Sequence, residues 1–195
     1  YKMKINFITD DEYLNHNIGS SHPENIERFK TVSALLSQNY SDHFFLKPRV
    51  ASIDELCLVH DKKYVENNIN NIPVDGLFYY DPDTIACPHS LKSYLFAAGG
   101  SILAFENIIK NNYLKTNSSY FCAHRPPGHH AERSKAMGFG VFNNVAISAA
   151  NALKNSNINK ILIIDFDVHH GNGTQHFFES NPNVIYASSH QFPYY

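Results

Sequence analysis

The sequence predicts an α/β protein, a single domain built on a mostly parallel sheet flanked by helices. Its second half alternates short apolar runs with helix-spaced stretches: Ser119 to His124, Phe142 to Leu153, Lys160 to Asp165, Gly173 to Glu179 and Asn183 to Ser188. That order suits a parallel sheet with helices on both faces. The two polar, glycine-bearing segments, at 125–131 and 165–175, each follow a strand, and in such sheets ligands bind beyond the carboxyl ends of the strands. The 195 residues, 43% of them apolar, are enough for one ordinary core, and no repeat or linker divides them.

Element by element, Met3 to Ile8 alternates as a strand, and Glu24 to Gln38 carries Ile26, Phe29, Val32 and Leu35-Leu36 at helical spacing. Ser52 with Glu55 three residues on is a capping-box signature, opening a short helix over Ile53 to Val59. Asp61 to Asn71 reads as another helix, ended by Pro73. From Pro73 to Pro88, three prolines and three aspartates without period predict a long functional loop. Leu91 to Asn111 shows an apolar stripe with Gly99-Gly100 inside it, a helix that allows close packing there.

Composition narrows the function. A net charge of −2 with no block of like charge argues against a direct nucleic-acid partner or a basic membrane-surface helix. Cys57, Cys87 and Cys122 are odd in number and far apart, which argues against a disulfide framework and for a reducing, cytoplasmic setting. No apolar run approaches the roughly 20 residues of a membrane span, and the start lacks a signal-peptide core.

Twelve histidines include two adjacent pairs, His129-His130 and His169-His170, whereas isolated ones such as His16, His43 and His176 read as ordinary surface or core residues. Behind the apolar Ile161–Ile164, alternate side chains of Asp165, Asp167 and His169 face one side of an extended chain. A carboxylate and an imidazole at that edge suit a divalent metal, zinc most readily. The segment Arg125-Pro126-Pro127-Gly128-His129-His130-Ala131 fixes an unusual backbone path, a costly way to hold two imidazoles unless their positions matter. Splitting an amide needs a base for water and an acid for the leaving amine, and two oriented histidines suit both. Each needs a partner on its far nitrogen, and Asp165 and Asn172 are the available ones on the facing loop.

These residues carry a resemblance. Arg125 to Ala131, Met137 to Ala146 and Asp165 to Gln175, in this order and spacing, resemble the zinc-dependent histone deacetylase and acetylpolyamine amidohydrolase superfamily. Ser21-His22-Pro23-Glu24 with Arg28, the helix from Val59-His60 to Tyr64, Asp83-Thr84, Ala97 to Gly100 and Ser188-Ser189-His190 extend it over nearly the whole chain. Asn172, where some members carry aspartate, and the RPPGHHA form are similar to the class II branch and its bacterial relatives.

The resemblance implies an arginase/deacetylase-like fold and hydrolysis of an acylated amine such as acetyl-lysine or an acetylpolyamine. Zinc would be bound by Asp167 and His169, with His130 as general base and acid and His129 as its electrostatic partner. Asp165 would orient His129, and Asn172 would face His130. Phe139 would form one wall of a narrow substrate tunnel, Tyr195 the opposite wall, and Gly138 a backbone contact. A structural potassium ion would sit among Asp165, Asp167, His169, Ser188 and Ser189. Gly140, where the family often has cysteine, would widen the tunnel floor and admit a different acyl group. The tunnel rim would be the loop from Pro73 to Pro88, with Asp75, Asp81 and Asp83 as candidate anchors for a cationic substrate. Against the family pattern, residues 1–195 correspond to the N-terminal part of a catalytic domain, before the third zinc ligand and the carbonyl-polarising tyrosine; this piece alone is therefore expected to be inactive.

Two other readings compete. A dinuclear metallophosphoesterase shares Asp167-Val168-His169 after a strand, but its GD-x-x-D and GNH segments are absent. A non-catalytic module that grips acyl-lysine, or a fragment acting through partners, is the alternative, opposed by the intact His129, His130, Asp167 and His169.

Overall fold

The computed structural model describes residues 5–110 and 119–193. Met3, Lys4, Asn111 and Tyr195, to which the sequence reading assigned positions, lie outside the described residues. The described chain runs β1 (Ile5–Ile8), a 3₁₀ turn (Asp11–Asn15), α1 (Ile26–Asn39), β2 (Phe44–Leu46), α2 (Ile53–Leu56), α3 (Lys62–Asn70), β3 (Phe78–Tyr79), β4 (Ile85–Ala86), α4 (Ser90–Lys110), β5 (Ser119–Cys122), α5 (Asn144–Asn155), β6 (Ile161–Asp165), α6 (Asn172–Phe178) and β7 (Val184–Ser188). Four of these elements go beyond the sequence expectation. The 3₁₀ turn and β2 are too short to show a period, and the Pro73 to Pro88 loop folds in part into the antiparallel hairpin β3–β4.

Local chemistry sets the helix starts. The Asn25 side chain accepts from the backbone N–H groups of Glu27 and Arg28 at the head of α1, and Ser52 and Glu55 form the reciprocal capping box of α2. Val59 and His60 lie in the turn between α2 and α3, not in the helix expected to run from them to Tyr64, which begins at Lys62. Asn143 caps α5 by accepting from the Ala146 N–H, and its amide nitrogen donates to Thr174 Oγ1 at 3.1 Å, which ties α5 to α6.

All strands outside the hairpin pair in parallel, but in two ladders, β2-β1-β5 and β6-β7. The β5 and β6 sides of a cavity of about 690 Å³ carry Cys122 and His124 on one wall and Ile163, Ile164 and Asp165 on the other. The main core lies where α4 packs on α5, around Tyr94, Ala98, Ile102, Phe142, Ala146 and Ile147. Gly99 sits in α4 where a Cβ would run into the Arg49 carbonyl oxygen, so the helix passes against the chain leading to α2. The β6–β7 ladder is covered on one face only: Ile161 and Val184 enter the core, whereas Leu162, Ile164 and Ile185 are exposed among the described residues. The α1 stripe is likewise only partly covered, with Phe29 and Leu36 buried and Val32 and Leu35 exposed.

Candidate active site

The chain after β5 is anchored before it reaches the histidines. Arg125, 3% exposed, meets Glu24 through two hydrogen bonds of 2.7 Å, and donates to the carbonyls of Glu24 at 2.9 Å and Tyr13 at 2.8 Å. His16 Nε2 lies 3.5 Å from the same carboxylate. Burial alone would raise the Glu24 carboxyl, but His16 and Arg125 hold it below the ordinary range, so the buried pair is ionised and its polar atoms are matched. His16 is thus the core histidine the sequence allowed, and the fold adds which partners it meets, Glu24 and the Ser90 hydroxyl.

Beyond this anchor the two imidazoles turn toward the end of β6. His129 Nδ1 donates to Asp165 Oδ2 at 2.9 Å, and the Tyr186 hydroxyl donates to the same oxygen at 3.0 Å. Burial works to raise Asp165, but the bond and charge of His129, with the Asp167 N–H and the Tyr186 hydroxyl, together keep the carboxyl below its usual range. His130 Nδ1 donates to Asn172 Oδ1 at 2.7 Å, and its ring lies 4.0 Å from that of His129 between centroids. Burial, opposed by the Asn172 bond, pushes His130 down to about 4, so at neutral pH it is an uncharged imidazole able to take a proton.

Asp167 and His169 stand beside this pair in a more open setting, their side chains 49% and 47% exposed. Asp167 Oδ1 accepts the His169 backbone N–H at 2.8 Å and lies 3.2 Å from His169 Nδ1. It is also 3.8 Å from His129 Nε2. One carboxylate and one imidazole this close form a zinc-compatible donor pair, two of the three protein donors usual at a catalytic zinc. Among the described residues no group of three His, Cys, Asp or Glu is arranged to hold a metal. Asp165 and Ser188 are opposite one another in the β6–β7 register, and Ser189 N–H donates to the Asp165 carbonyl at 3.0 Å.

Gly138 and Phe139 form the tip of a tight turn closed by mutual backbone bonds of 3.1 Å between Met137 and Gly140. Both central residues have positive φ, 58° and 68°, the pattern of a type I′ turn. A side chain at Gly138 would enter the His130 ring. For phenylalanine this backbone conformation costs of order 1–3 kcal/mol; it is held by Thr84 Oγ1, which accepts the Phe139 N–H at 3.2 Å, and by a T-shaped contact with the His22 ring, 4.9 Å between centroids. Gly140 does not open a floor, contrary to the sequence expectation: a Cβ there would lie 2.6 Å from the Pro127 carbonyl oxygen and 2.7 Å from Gly128 Cα. Backbone already fills that space. Asp81 is also reassigned, because its Oδ1 accepts the N–H groups of Asp83 at 3.1 Å and Thr84 at 2.6 Å and so closes its own turn. The sequence reading missed Glu132, which links Asn172 to His176; its position directly after His129-His130-Ala131 was the available signal.

Fold and site together define an α/β domain with paired histidines and an Asp-x-His edge beyond the carboxyl ends of parallel strands. This arrangement has a counterpart in known proteins: a family model described as histone deacetylase domain matches residues 22–195, and the chain belongs to the histone deacetylase family. A probable deacetylase of Methanothermobacter thermautotrophicus is 36% identical over 95% of this chain and 54% of its own length. The polyamine deacetylase HDAC10 of Danio rerio is 38% identical over 74% of this chain and 22% of its own. The crystal structure of the HDA15 HD domain superposes with a TM-score of 0.86 at 31% identity, over 97% of this chain and 54% of that one. The chain spans about half the length of the first of these relatives. Among the described residues no helix is long and apolar enough to cross a membrane.

Proposed function

We propose that the protein carrying this chain hydrolyses the amide of an acylated amine, acetyl-lysine or an acetylated polyamine. The observation that carries the reading is the double anchoring of His129 on Asp165 and His130 on Asn172 beside Asp167 and His169. Asp167 and His169 would hold zinc, which when bound supplies Lewis acidity, polarising the amide carbonyl and acidifying water. A structural potassium ion among Asp165, Asp167, His169, Ser188 and Ser189 belongs to the same proposal.

The chain's own groups then handle the proton. His130, uncharged at neutral pH and with its Nδ1–H committed to Asn172, takes the proton of the attacking water at Nε2 and returns it to the leaving amine. His129, held by the ionised Asp165, stabilises positive charge as it develops on its neighbour. Phe139, fixed by Thr84 and His22, forms a wall for the aliphatic chain of the substrate, with Gly138 as a backbone contact. The setting proposed is the cytoplasm.

In the full-length protein, turnover of an acetyl-lysine peptide and of an acetylpolyamine should fall about 10²- to 10⁴-fold on His130→Ala while zinc content is retained. Near-normal turnover by that variant would remove His130 from the mechanism.

A further inference from the structure

The two imidazoles are oriented by chemically different partners. A carboxylate can only accept, so Asp165 by itself requires that His129 Nδ1 carry a proton. An amide has no such preference: turned by half a rotation, Asn172 would offer Nδ2 to His130 instead of Oδ1. His130 Nδ1 would then accept, the proton would move to Nε2, and the nitrogen assigned to the base would lose its lone pair. Something behind Asn172 must choose.

We infer that Glu132 is a positioning residue that fixes the orientation of the Asn172 amide and, through it, the tautomer of His130. Glu132 Oε1 accepts from Asn172 Nδ2 at 2.6 Å, and the same oxygen accepts from His176 Nδ1 at 2.7 Å. The remaining contacts of Asn172 Nδ2 are weaker and also acceptors, the His130 carbonyl at 3.4 Å and Met137 Sδ at 3.7 Å. The flipped amide would face three acceptors with its oxygen.

Glu132 is itself set from both sides. Its N–H donates to the Lys135 carbonyl at 2.9 Å, and its carbonyl accepts from His60 Nδ1 at 3.0 Å. His60 Nε2 in turn accepts the Asn143 N–H at 3.0 Å, at the start of α5. The orienting carboxylate is therefore tied to the core through its own backbone. The hydrogen bond from His176, on the outer side of α6, steers its side chain.

The inference rests on the reading of His130 as the proton-handling group, and the test separates the two. The ring nitrogens of His130 are observed by ¹⁵N NMR at neutral pH in the full-length protein, in wild type, Glu132→Gln and Glu132→Ala, with thermal unfolding as a check on the fold. Wild type should show the Nδ1–H tautomer alone. Glu132→Gln, which can turn either end of its own amide to Asn172, should populate both tautomers, and Glu132→Ala at least as much of the Nε2–H form. The kcat should fall about 10- to 100-fold, as for outer partners that orient metal-ligating histidines, with KM changed less than about twofold. A tautomer that stays purely Nδ1–H in both variants overturns the inference. A shifted tautomer with unchanged kcat supports the role of Glu132 and instead sinks the assignment of His130 as base.

Discussion

The loop from Arg125 to Ala131 and the loop from Asp165 to His170 leave the ends of β5 and β6 and meet at one site, but they are built differently. In the first, the Arg125–Glu24 pair is buried, His130 is 4% exposed, and backbone from Pro127 and Gly128 packs directly on Gly140. In the second, Phe166 is 85% and Val168 54% exposed, and Asp167 and His169 bond to each other and, through the Asp167 N–H, to the Asp165 carboxylate two residues before. The difference follows from what each loop has to present. In the function proposed above, the first loop presents proton-handling imidazoles, which must be aimed before the substrate arrives and so take packing and outer hydrogen bonds, whereas the second presents donors that a bound metal would itself order.

The strongest way to break the contrast is to remove the anchor of the first loop. Arg125→Ala leaves the Glu24 carboxylate buried without its principal partner, and breaking such a pair from one side costs about 3–5 kcal/mol. Chemical denaturation of the full-length protein should show that loss.

Gly171→Ala attacks the contact between the loops. The added methyl group would press on Asp165 Oδ2, with the Tyr186 hydroxyl 2.6 Å and His129 Nδ1 2.9 Å away. Overpacking of this kind costs about 1–3 kcal/mol, and turnover should fall with it; an unchanged melting temperature and rate would show that the Asp165–His129 contact yields easily.

Acid should act on the first loop and its support. Burial pushes His60 and His124 down to about 4, whereas the unfolded chain takes up these protons near pH 6.5. The unfolded state therefore binds more protons between these values, and stability falls as pH drops from about 6.5 to about 4, by up to about 1.4 kcal/mol per pH unit for each histidine. His124→Phe should make the decline shallower, since His124 Nδ1 is buried and has no hydrogen-bond partner among the described residues. Denaturation midpoints across that pH range measure it, and an identical slope in the variant would remove His124 from the acid response.

The smallest structural effect is expected from the second loop. In the presence of a chelator, His169→Ala should change stability by no more than about 0.5 kcal/mol, as for most exposed positions, yet it should abolish zinc retention by the full-length protein. Undiminished zinc by metal analysis would place the metal elsewhere.

Much of this site was legible because its parts are local. Asp165, Asp167 and His169 alternate along one extended segment, and His129-His130 lie in a rigid run directly after a strand, so period and punctuation are enough to mark them. Glu132 and His16 were not legible in the same way. A glutamate after the histidine pair has no period that points to Asn172, and a lone histidine before α1 gives no hint of Glu24. The hairpin β3–β4 escaped for another reason, since two-residue strands are shorter than any pattern that could reveal them.

By itself the sequence determined the alternation of strands and helices, the capped helix starts and the two loops that carry the histidines and the Asp-x-His edge, because each depends on side-chain spacing over a few residues. Tertiary structure alone decided which distant groups meet. Glu24 and Arg125 are 101 residues apart in the chain, and Glu132 and Asn172 are 40 apart. It also decided that Gly140 accommodates backbone rather than substrate, and that the strands form two ladders with one face of β6–β7 exposed among the described residues. The physical reason is that a buried polar group must be matched by whatever the packing brings within hydrogen-bond reach, and that partner is selected by the fold as a whole.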